Sequence, residues 1–339
     1  GRLGRINAVF VTLNEAAPQS AEAFQSVVER SQLFTNEALR GAVTLEDLHI
    51  KLVRNEDRGT LSVESDRMIL DPSLVKAIQT AAANAGLSSS PRYVALANEI
   101  TPADATAEEM NGGQRRSAYF VVAGVETDHQ PAIKEAGDGL ILNQFLANDQ
   151  LNVPAGPDVL LKWSSVDDGA DAPELSETFP VAAVVPLEGA AADGTLTPTV
   201  KGITDAESFN DWDQPFEMNL DRVTTEDENY WDDYRALPKA FLPLDRMREL
   251  FPSRYGESTS VLLSDREGGR IEDFDAAEER FATELIQAVD LRSLGLALGP
   301  VKAQGLAAAA GTTDFAGLFV GFSLFLILSA AILIALLFR

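Results

Sequence analysis

The chain contains no cysteine, which excludes disulfides, zinc–thiolate sites and cysteine nucleophiles from these 339 residues. Histidine is almost as scarce, with two residues: His49 in a predicted strand and His129 in a predicted loop. A general base needs a partner that positions it, and the sequence identifies none for either ring. We therefore expect both histidines to be structural or exposed.

Basic residues are also few, with 27 Lys and Arg against 52 Asp and Glu and a net charge of −25. A protein that binds the phosphate backbone needs a basic face, so nucleic acid is excluded as a partner. Only 7 of the basic residues are lysine. A surface rich in acid and poor in lysine is typical of salty surroundings, so a marine or halophilic source is one hypothesis. The other hypothesis is that the protein is simply acidic, without adaptation to salt.

Motifs for catalysis are missing as well. The sequence has no Walker A loop, no HExxH, no GxSxG and no glycine-rich dinucleotide loop after a strand. Neighbouring carboxylates do occur and are candidates either for Ca²⁺ binding or for a solvated acidic surface; they are Asp211/Asp213, Asp227/Glu228 and Asp232/Asp233. The fixed Gly and terminal Glu of an EF-hand loop are absent. We predict no catalytic residue, cofactor or metal ligand.

A long apolar run closes the chain. Residues 315–338 contain no charge. As a helix they would be roughly 36 Å long, enough to cross a hydrocarbon core of about 30 Å. The run lies between Asp314 and Arg339, and the positive-inside rule places Arg339 in the cytoplasm and the preceding residues outside the cell membrane. Because the chain begins at Gly1 without a leader and stops just after this run, we predict a fragment of a longer product.

Small residues within the apolar run predict contact with other helices. Gly317 and Gly321 lie one turn apart, which lets a neighbouring helix approach closely. Ser323 adds to the small surface. The pattern favours a helix in a bundle over an isolated anchor.

The preceding residues have the pattern of an α+β domain, with many strands and few long helices. Alternating or β-branched runs predict strands at 6–13, 49–53, 60–63, 66–70, 93–100, 119–125, 159–163, 179–186 and 238–241, and a strand followed by a helix at 140–151. Helical spacing of apolar residues predicts helices at 20–40, 73–85 and 274–289. Residues 101–117 are predicted to be a loop. We divide the chain into a domain at 1–289, with one body or two subdomains as alternatives, a connector at 290–314 and a membrane helix at 315–338.

Residues 204–235 carry 11 acidic and 2 basic residues together with several aromatic side chains. Aromatic residues at this density are unusual in a disordered acidic tail. The segment is therefore predicted to be ordered but irregular.

Several blocks resemble one family of membrane proteins. The approach Gly311-Thr312-Thr313-Asp314 and the core Phe-Ser-Leu-Phe-Leu-Ile at 322–327 are similar to the entry into the second transmembrane helix of FtsX-like ABC permeases with a MacB-type extracytoplasmic domain. Further similar blocks are 36–52, 141–156, 180–198 and 230–244. The family usually has Gly-Asp after the second of these blocks, whereas Pro157 separates Gly156 from Asp158 here.

The resemblance implies a permease subunit of the bacterial inner membrane, which is not itself an enzyme. Its expected partners are a separate ATPase subunit, a second permease protomer, membrane lipid, and a periplasmic adaptor or lipoprotein substrate. ATP hydrolysis in the partner would move the extracytoplasmic domain through the connector, where Pro300, Gly311 and Asp314 are the expected coupling residues. A single-pass anchored binding or adhesion domain is the alternative. A membrane-tethered hydrolase that uses paired carboxylates ranks last.

Overall fold

The fold is described from a computed structural model. It describes residues 37, 40–106, 108–109, 115–126, 131–164, 173–200, 202–204, 206–212, 218–266, 268–290 and 315–339. The chain forms two compact units, one of Val43–Leu294 and one that combines Gly1–Ala42 with Gly295–Arg339. The predicted strand 6–13 and nearly all of the predicted helix 20–40 lie outside the described residues.

The α+β class is confirmed. The strands are β1 (Ile50–Asn55), β2 (Thr60–Ser65), β3 (Leu87–Pro102), β4 (Ser117–Val125), β5 (Leu140–Asn143), β6 (Asp158–Ser164), β7 (Glu174–Val185), β8 (Ala240–Pro243) and β9 (Ser260–Asp265). The helices are α1 (Pro72–Ala85), α2 (Pro131–Ala136), α3 (Thr225–Tyr234), α4 (Leu244–Leu250), α5 (Phe274–Ala288) and α6 (Phe315–Leu337).

Four strands form an antiparallel sheet in the order β1-β2-β9-β3. The predicted hairpin is confirmed as β1 and β2, which pair from Ile50 opposite Ser65 to Asn55 opposite Thr60. Strand β9 lies at the centre of this sheet and was not predicted from the sequence. Alternation divides the sheet into an apolar face, with Leu61, Val63, Val261 and Leu263 buried, and a largely polar face.

Strand β3 continues from this sheet into a closed six-stranded barrel. Its first half pairs with β9, and its second half pairs with β4 on one side and with β6 on the other. The barrel order is β3-β4-β8-β5-β7-β6, and the β6–β3 pairing closes the ring. Closure leaves no free edge among these six strands, so the barrel has no edge on which another chain could pair.

Side chains fill the interior of the barrel. Inward positions recur at every second residue, as strand geometry requires: Phe120 and Val122 on β4, then Val159, Leu161 and Trp163 on β6. Both ends are closed by apolar residues from neighbouring turns and helices, which include Leu146, Leu151, Met247 and Phe251. The barrel is therefore a packed core and not a channel.

Two helices predicted from periodicity are confirmed. Helix α1 begins with Pro72 in its first turn, and Asp71 caps it by accepting from the Ser73 amide at 2.8 Å. Helix α5 has Asp273 as its N-cap and buries Ala277, Phe281 and Leu285. The two helices pack against each other, and α1 also packs against β3 and β9.

Some predicted elements differ in type or extent. Residues 66–70 are a turn and not a strand, because Met68 has φ +69° and the Met68 amide bonds back to the Ser65 carbonyl at 3.1 Å. The loop in the structure is shorter than the predicted 101–117, since β3 runs to Pro102 and β4 starts at Ser117. The strand at 140–151 is followed by a helix, as predicted, although that helix is a π-helical turn over Phe145–Leu151.

The longest link within the larger unit joins β7 to β8, and we call residues 186–238 the long connection. Lys239 is counted with β8, because its amide donates to the Val121 carbonyl of β4 at 3.0 Å and its carbonyl accepts from the Asn143 amide of β5 at 2.8 Å. Three short 3₁₀ turns, at Gly189–Ala192, Phe209–Asp211 and Leu220–Arg222, precede α3. Rings of Phe209, Trp212 and Trp231 pack with centroids 4.8 to 5.4 Å apart. The prediction of an ordered acidic segment is confirmed for its described residues, and it contains a regular helix besides the irregular part.

Candidate functional site

Helix α6 is the clearest functional feature. It is long and apolar enough over Gly317–Leu337 to cross a membrane, and no side chain of that span is buried. Its exposed residues include Phe319, Leu326, Ile327 and Leu333, each about two-thirds exposed. Contiguous apolar surface of this size in a helix marks contact with lipid or with other helices.

The three predicted packing residues all lie in α6. Gly317 and Gly321 fall on the same face, and a Cβ added at Gly321 would meet nothing within 4 Å. Ser323 follows Gly321 by two residues, which is about 200° around the helix, so it lies on another face. Gly317 and Gly321 therefore form one candidate contact strip without Ser323. The predicted coupling residues Pro300, Gly311 and Asp314 lie outside the described residues.

A buried ion pair forms the second candidate site, beneath the long connection. The Lys239 side chain is 3% exposed, the Asp227 side chain is fully buried, and Nζ lies 2.7 Å from Oδ1. Strand β8 begins one residue after Lys239, and Asp227 occupies the third position of α3. The pair thus connects a helix of the long connection to the wall of the barrel.

Every proton of the Lys239 ammonium has an acceptor. Besides Asp227, the ammonium donates to Ser117 Oγ at 3.0 Å and to Gln150 Oε1 at 2.9 Å. It also lies 4.6 Å from the centre of the Tyr230 ring. A buried charge is costly unless it is paired and fully hydrogen-bonded, and this cation meets both conditions.

The carboxylate of Asp227 is equally well satisfied. Oδ1 accepts from Ser117 Oγ at 2.6 Å and from Gln150 Nε2 at 2.7 Å. Oδ2 accepts from Thr224 Oγ1 at 2.9 Å and from the Thr224 amide at 3.0 Å. Thr224 and Asp227 form a capping box, so the residue that starts α3 also fixes the ion pair.

Burial and the opposite charge together shift the pKa values of both partners. Burial alone would raise the pKa of Asp227, but the Lys239 ammonium and the donors from Ser117 and Thr224 outweigh it, so the pKa is lowered. Burial lowers the pKa of Lys239, and the Asp227 carboxylate offsets part of that effect. The ammonium and the carboxylate each favour the charged form of the other.

A serine beside a lysine invites comparison with Ser–Lys hydrolases, but this geometry does not support nucleophilic catalysis. The Ser117 hydroxyl donates a hydrogen bond to Asp227 and accepts one from Lys239, so both its proton and a lone pair are already used. Ser117 and Lys239 are also buried, at 0% and 2% exposure. A substrate would have no access, and we assign the cluster a positioning role.

No family model and no curated protein matches this chain. The resemblance to FtsX-like permeases therefore stays a prediction drawn from its sequence blocks.

A second buried pair holds the other end of the long connection. Arg92 of β3 donates to Asp193 Oδ2 at 2.9 Å, and both side chains are at most 5% exposed. Asp193 Oδ1 also accepts from Asn55 Nδ2 at 2.8 Å and from Thr195 Oγ1 at 2.7 Å. Burial alone would raise the pKa of Asp193, but Arg92 and the Thr195 donors outweigh it, so the pKa is lowered.

The acidic pairs singled out in the sequence do not converge. Asp227 is committed to Lys239, whereas Asp232 and Asp233 are exposed. Within the described residues, no group of three or more Asp, Glu or His could hold a metal ion. Asp213 lies outside the described residues, as does His129. His49 is in a turn just before β1, not in the strand, with φ +59° and Nδ1 3.0 Å from Asp66 Oδ2.

Sequence reasoning named Asp227 only as a member of an acidic pair, and it missed Lys239, Arg92 and Asp193. One signal was available for Lys239, which is one of 7 lysines and stands in an apolar stretch, Leu-Pro-Lys-Ala-Phe at 237–241. A lysine in such a strand is seldom buried without a partner. Nothing near Asp193 in the sequence pointed to Arg92, 101 residues away.

Proposed function

We propose that the chain is the extracytoplasmic part of an ABC transporter permease of the FtsX/MacB type, carried by α6 in a bacterial inner membrane. The observation that carries the membrane assignment is the apolar, unburied helix over Gly317–Leu337. The resemblance of blocks 311–314, 322–327 and 230–244 supports the family. Residues before about 314 would be extracytoplasmic and Arg339 cytoplasmic.

In this proposal the domain transmits motion. A separate ATPase subunit would hydrolyse ATP, and the permease would work as a dimer with a second protomer. The filled barrel supports transmission over conduction, because its interior of Phe120, Leu142, Leu161 and Phe179 leaves no path for a solute. The buried pairs Arg92–Asp193 and Asp227–Lys239 also favour a domain that moves as one body. Its target would be a lipoprotein, an exported molecule or a periplasmic adaptor.

A single-pass anchored binding or adhesion domain is the second candidate. The observation that favours it is that the described residues contain one helix able to cross a membrane. The two candidates share the membrane helix and differ in whether the gene product continues past Arg339 into further membrane helices.

Sequencing the gene upstream of Gly1 and downstream of Arg339 separates the two candidates. The permease predicts an open frame that continues past Arg339 into further apolar helices, with an ATPase gene adjacent. A stop codon within a few residues, without such a gene, would leave the anchored domain. Co-purification of the full-length product with the adjacent ATPase is the biochemical counterpart.

Orientation can be tested separately, because the chain has no cysteine. Asp57→Cys places a thiol on the exposed turn between β1 and β2, which precedes α6 in the chain. Arg339→Cys places a thiol just after the C-terminal end of α6. We expect a membrane-impermeant maleimide to label the first in intact cells and the second only after permeabilisation. The reverse pattern would overturn the orientation.

A further inference from the structure

The polar face of the four-stranded sheet contains three buried hydroxyls without a hydrogen-bond partner among the described residues; they belong to Thr60, Ser62 and Ser260. Thr60 is 7% exposed and both serines are fully buried. Polar groups at this depth are almost always hydrogen-bonded, to protein or to ordered water, because an unpaired hydroxyl is costly away from solvent. Three of them on one face of one sheet therefore indicate a bound partner that the described residues do not supply.

The register of the strands places these hydroxyls around the carboxylate of Glu64. Thr60, Ser62 and Glu64 alternate along β2, so they lie on one face with successive residues about 7 Å apart. Ser260 of β9 lies directly opposite Glu64, where Cβ atoms are about 5 Å apart. A small molecule that both donates and accepts can bridge neighbouring members of this group.

Part of the long connection covers this face, and we call residues 193–199 the strap. Its first residue accepts hydrogen bonds from Arg92 of β3 at 2.9 Å and from Asn55 of β1 at 2.8 Å. Its last residue donates its amide hydrogen to the Glu64 carboxylate of β2 at 3.2 Å. These contacts reach three strands, so the strap crosses the face on which the hydroxyls lie, and Glu64 is left 2% exposed.

The charges beneath the strap favour a neutral ligand. Asp193 and Glu64 bring two negative charges. Arg92 and Arg58 bring two positive ones, with Arg58 Nε 3.8 Å from Asp193 Oδ2, while Lys51, opposite Glu64, is exposed. An ion of either sign would add an unmatched charge to a buried site. Arg58 Nε is also buried without a hydrogen-bond partner among the described residues, so the ligand must accept as well as donate.

We propose that ordered water binds between the strap and the polar face, where it bridges Thr60, Ser62 and Ser260 to the Glu64 carboxylate. Buried waters typically make about three hydrogen bonds to otherwise unsatisfied groups and are costly to remove. A water-mediated bond is enthalpically nearly as good as a direct one, so the bound water would complete the attachment of the strap to the sheet. This site would be present whether or not the chain belongs to a permease.

The direction of one stability change tests whether the hydroxyls are bonded. Thr60→Val keeps the shape of the side chain and removes the hydroxyl. With bound water we expect the unfolding equilibrium constant of the full chain in detergent, measured by urea unfolding, to rise about fivefold, because the water loses a partner. Without bound water, valine would remove an unpaired polar group from a buried position, so an unchanged or more stable chain would overturn the proposal.

Thr178→Val is the matched control for this substitution. Thr178 is an exposed residue of β7, so the same change of side chain in a strand involves no buried hydroxyl there. We expect its unfolding equilibrium constant to change by less than about twofold. A rise at Thr178 equal to the rise at Thr60 would show that the exchange of threonine for valine, and not a buried bond, sets the effect.

A crystal structure of the full chain identifies the occupant directly. Water density within about 3.2 Å of at least two of the three hydroxyls would support the proposal. A protein atom at that distance from each hydroxyl would overturn it, because the chain would then satisfy its own polar groups. A dry face, at a resolution that shows other buried waters, would also overturn it.

A metal cation is the main competitor to water, since hard cations also take oxygen ligands. The unfolding midpoints of the parent and of Thr60→Val are therefore measured in sodium chloride and in choline chloride at equal ionic strength. Bound water predicts the same difference between the two chains in both salts. A difference that appears only in sodium chloride would overturn water as the occupant and assign the site to a cation.

Discussion

The barrel and the long connection that covers it are stabilised by different interactions. The barrel interior contains buried carbon from all six strands, including Phe120, Leu142 and Phe179. The long connection is attached at two points by buried ions, Asp193 to Arg92 and Asp227 to Lys239. Apolar contacts are non-directional and tolerate many arrangements, whereas an ion pair with every lone pair and proton used fits one arrangement.

This difference has an energetic consequence. A truncated apolar side chain loses its own transfer energy and leaves a cavity, and the loss grows with the volume removed. Removing one ion of a buried pair leaves the other charge buried, with neither a partner nor water to stabilise it. The stability lost by a mutation in the barrel should therefore grow with the side-chain volume removed. The stability lost where the long connection is attached should depend on whether one or both ions of a pair are replaced.

The largest effect is expected at Lys239. Lys239→Met keeps the length of the side chain but leaves Asp227 buried without its cation, which should cost about 4 kcal/mol of unfolding free energy. Urea unfolding followed by circular dichroism would measure it. The control is the pair of Arg222 and Glu174, whose side chains are 27% and 33% exposed, since Arg222→Met should cost less than about 1 kcal/mol.

A double variant completes this test. Adding Asp227→Asn to Lys239→Met removes the stranded charge and retains an acceptor for Thr224. We expect much of the lost stability to return. Equal costs for Lys239→Met and Arg222→Met would show that the buried pair does not attach the long connection.

A large effect is also expected inside the barrel. Leu142 is fully buried, and Leu142→Ala should cost about 3 kcal/mol through lost burial and a cavity. The matched control Leu142→Met conserves volume and should cost less than about 1.5 kcal/mol. The comparison between the two regions would fail if Leu142→Met cost as much as Leu142→Ala, because the barrel would then demand one arrangement just as the ion pairs do.

The two regions also differ in how far the sequence predicts them. Most barrel strands follow from local alternation, as Val159, Leu161 and Trp163 show on β6. Strand β9 was missed because its residues Ser-Val-Leu-Leu-Ser-Asp at 260–265 are few and their neighbours in the sheet are about 200 residues distant for β2 and 170 for β3. Closure of the barrel depends on β3 pairing with two partners, which no local pattern records.

The candidate sites divide in the same way. Helix α6 was predicted from composition alone, since a charge-free run of this length is rare in helices that do not cross a membrane. The ion pairs could not be predicted. Residues 204–235 contain 11 acids, and nothing in the sequence shows which of them pairs with Lys239. Local pattern also failed at 66–70, where a turn with Met68 at φ +69° stands in place of the expected strand.

A smaller effect is expected where α4 approaches the barrel wall. A Cβ at Gly124 would lie 2.4 Å from Met247 Cβ, so Gly124→Ala must push α4 outward. Overpacking of this kind should cost about 2 kcal/mol by thermal unfolding. Met247→Gly removes both the Cβ and the Cγ that the new methyl group would meet at 2.4 and 2.6 Å. If the clash is the cause, Gly124→Ala should cost less in a Met247→Gly background than in the parent, whereas equal costs in the two backgrounds would point to another cause.

The smallest effect is expected at Glu64, which joins the polar face of the four-stranded sheet to the long connection. Its carboxylate accepts from the Thr199 amide at 3.2 Å. Burial raises the pKa of Glu64 despite the donor from the Thr199 amide, so the folded state holds this proton more tightly than the unfolded chain. The ionised form is therefore a cost to stability at neutral pH, and that cost is relieved as the pH falls through the raised pKa.

Glu64→Gln removes this charge and keeps an oxygen for Thr199. We expect Glu64→Gln to be more stable than the parent at pH 7, with a gain smaller than the loss expected for Gly124→Ala. The stabilities of Glu64→Gln and the parent should become equal below the unfolded pKa of about 4.3. Urea midpoints at pH 7, 5.5 and 4 would follow the difference. A gain that is independent of pH would mean that packing and not charge sets the cost of Glu64, and the long connection would then resemble the barrel at this contact.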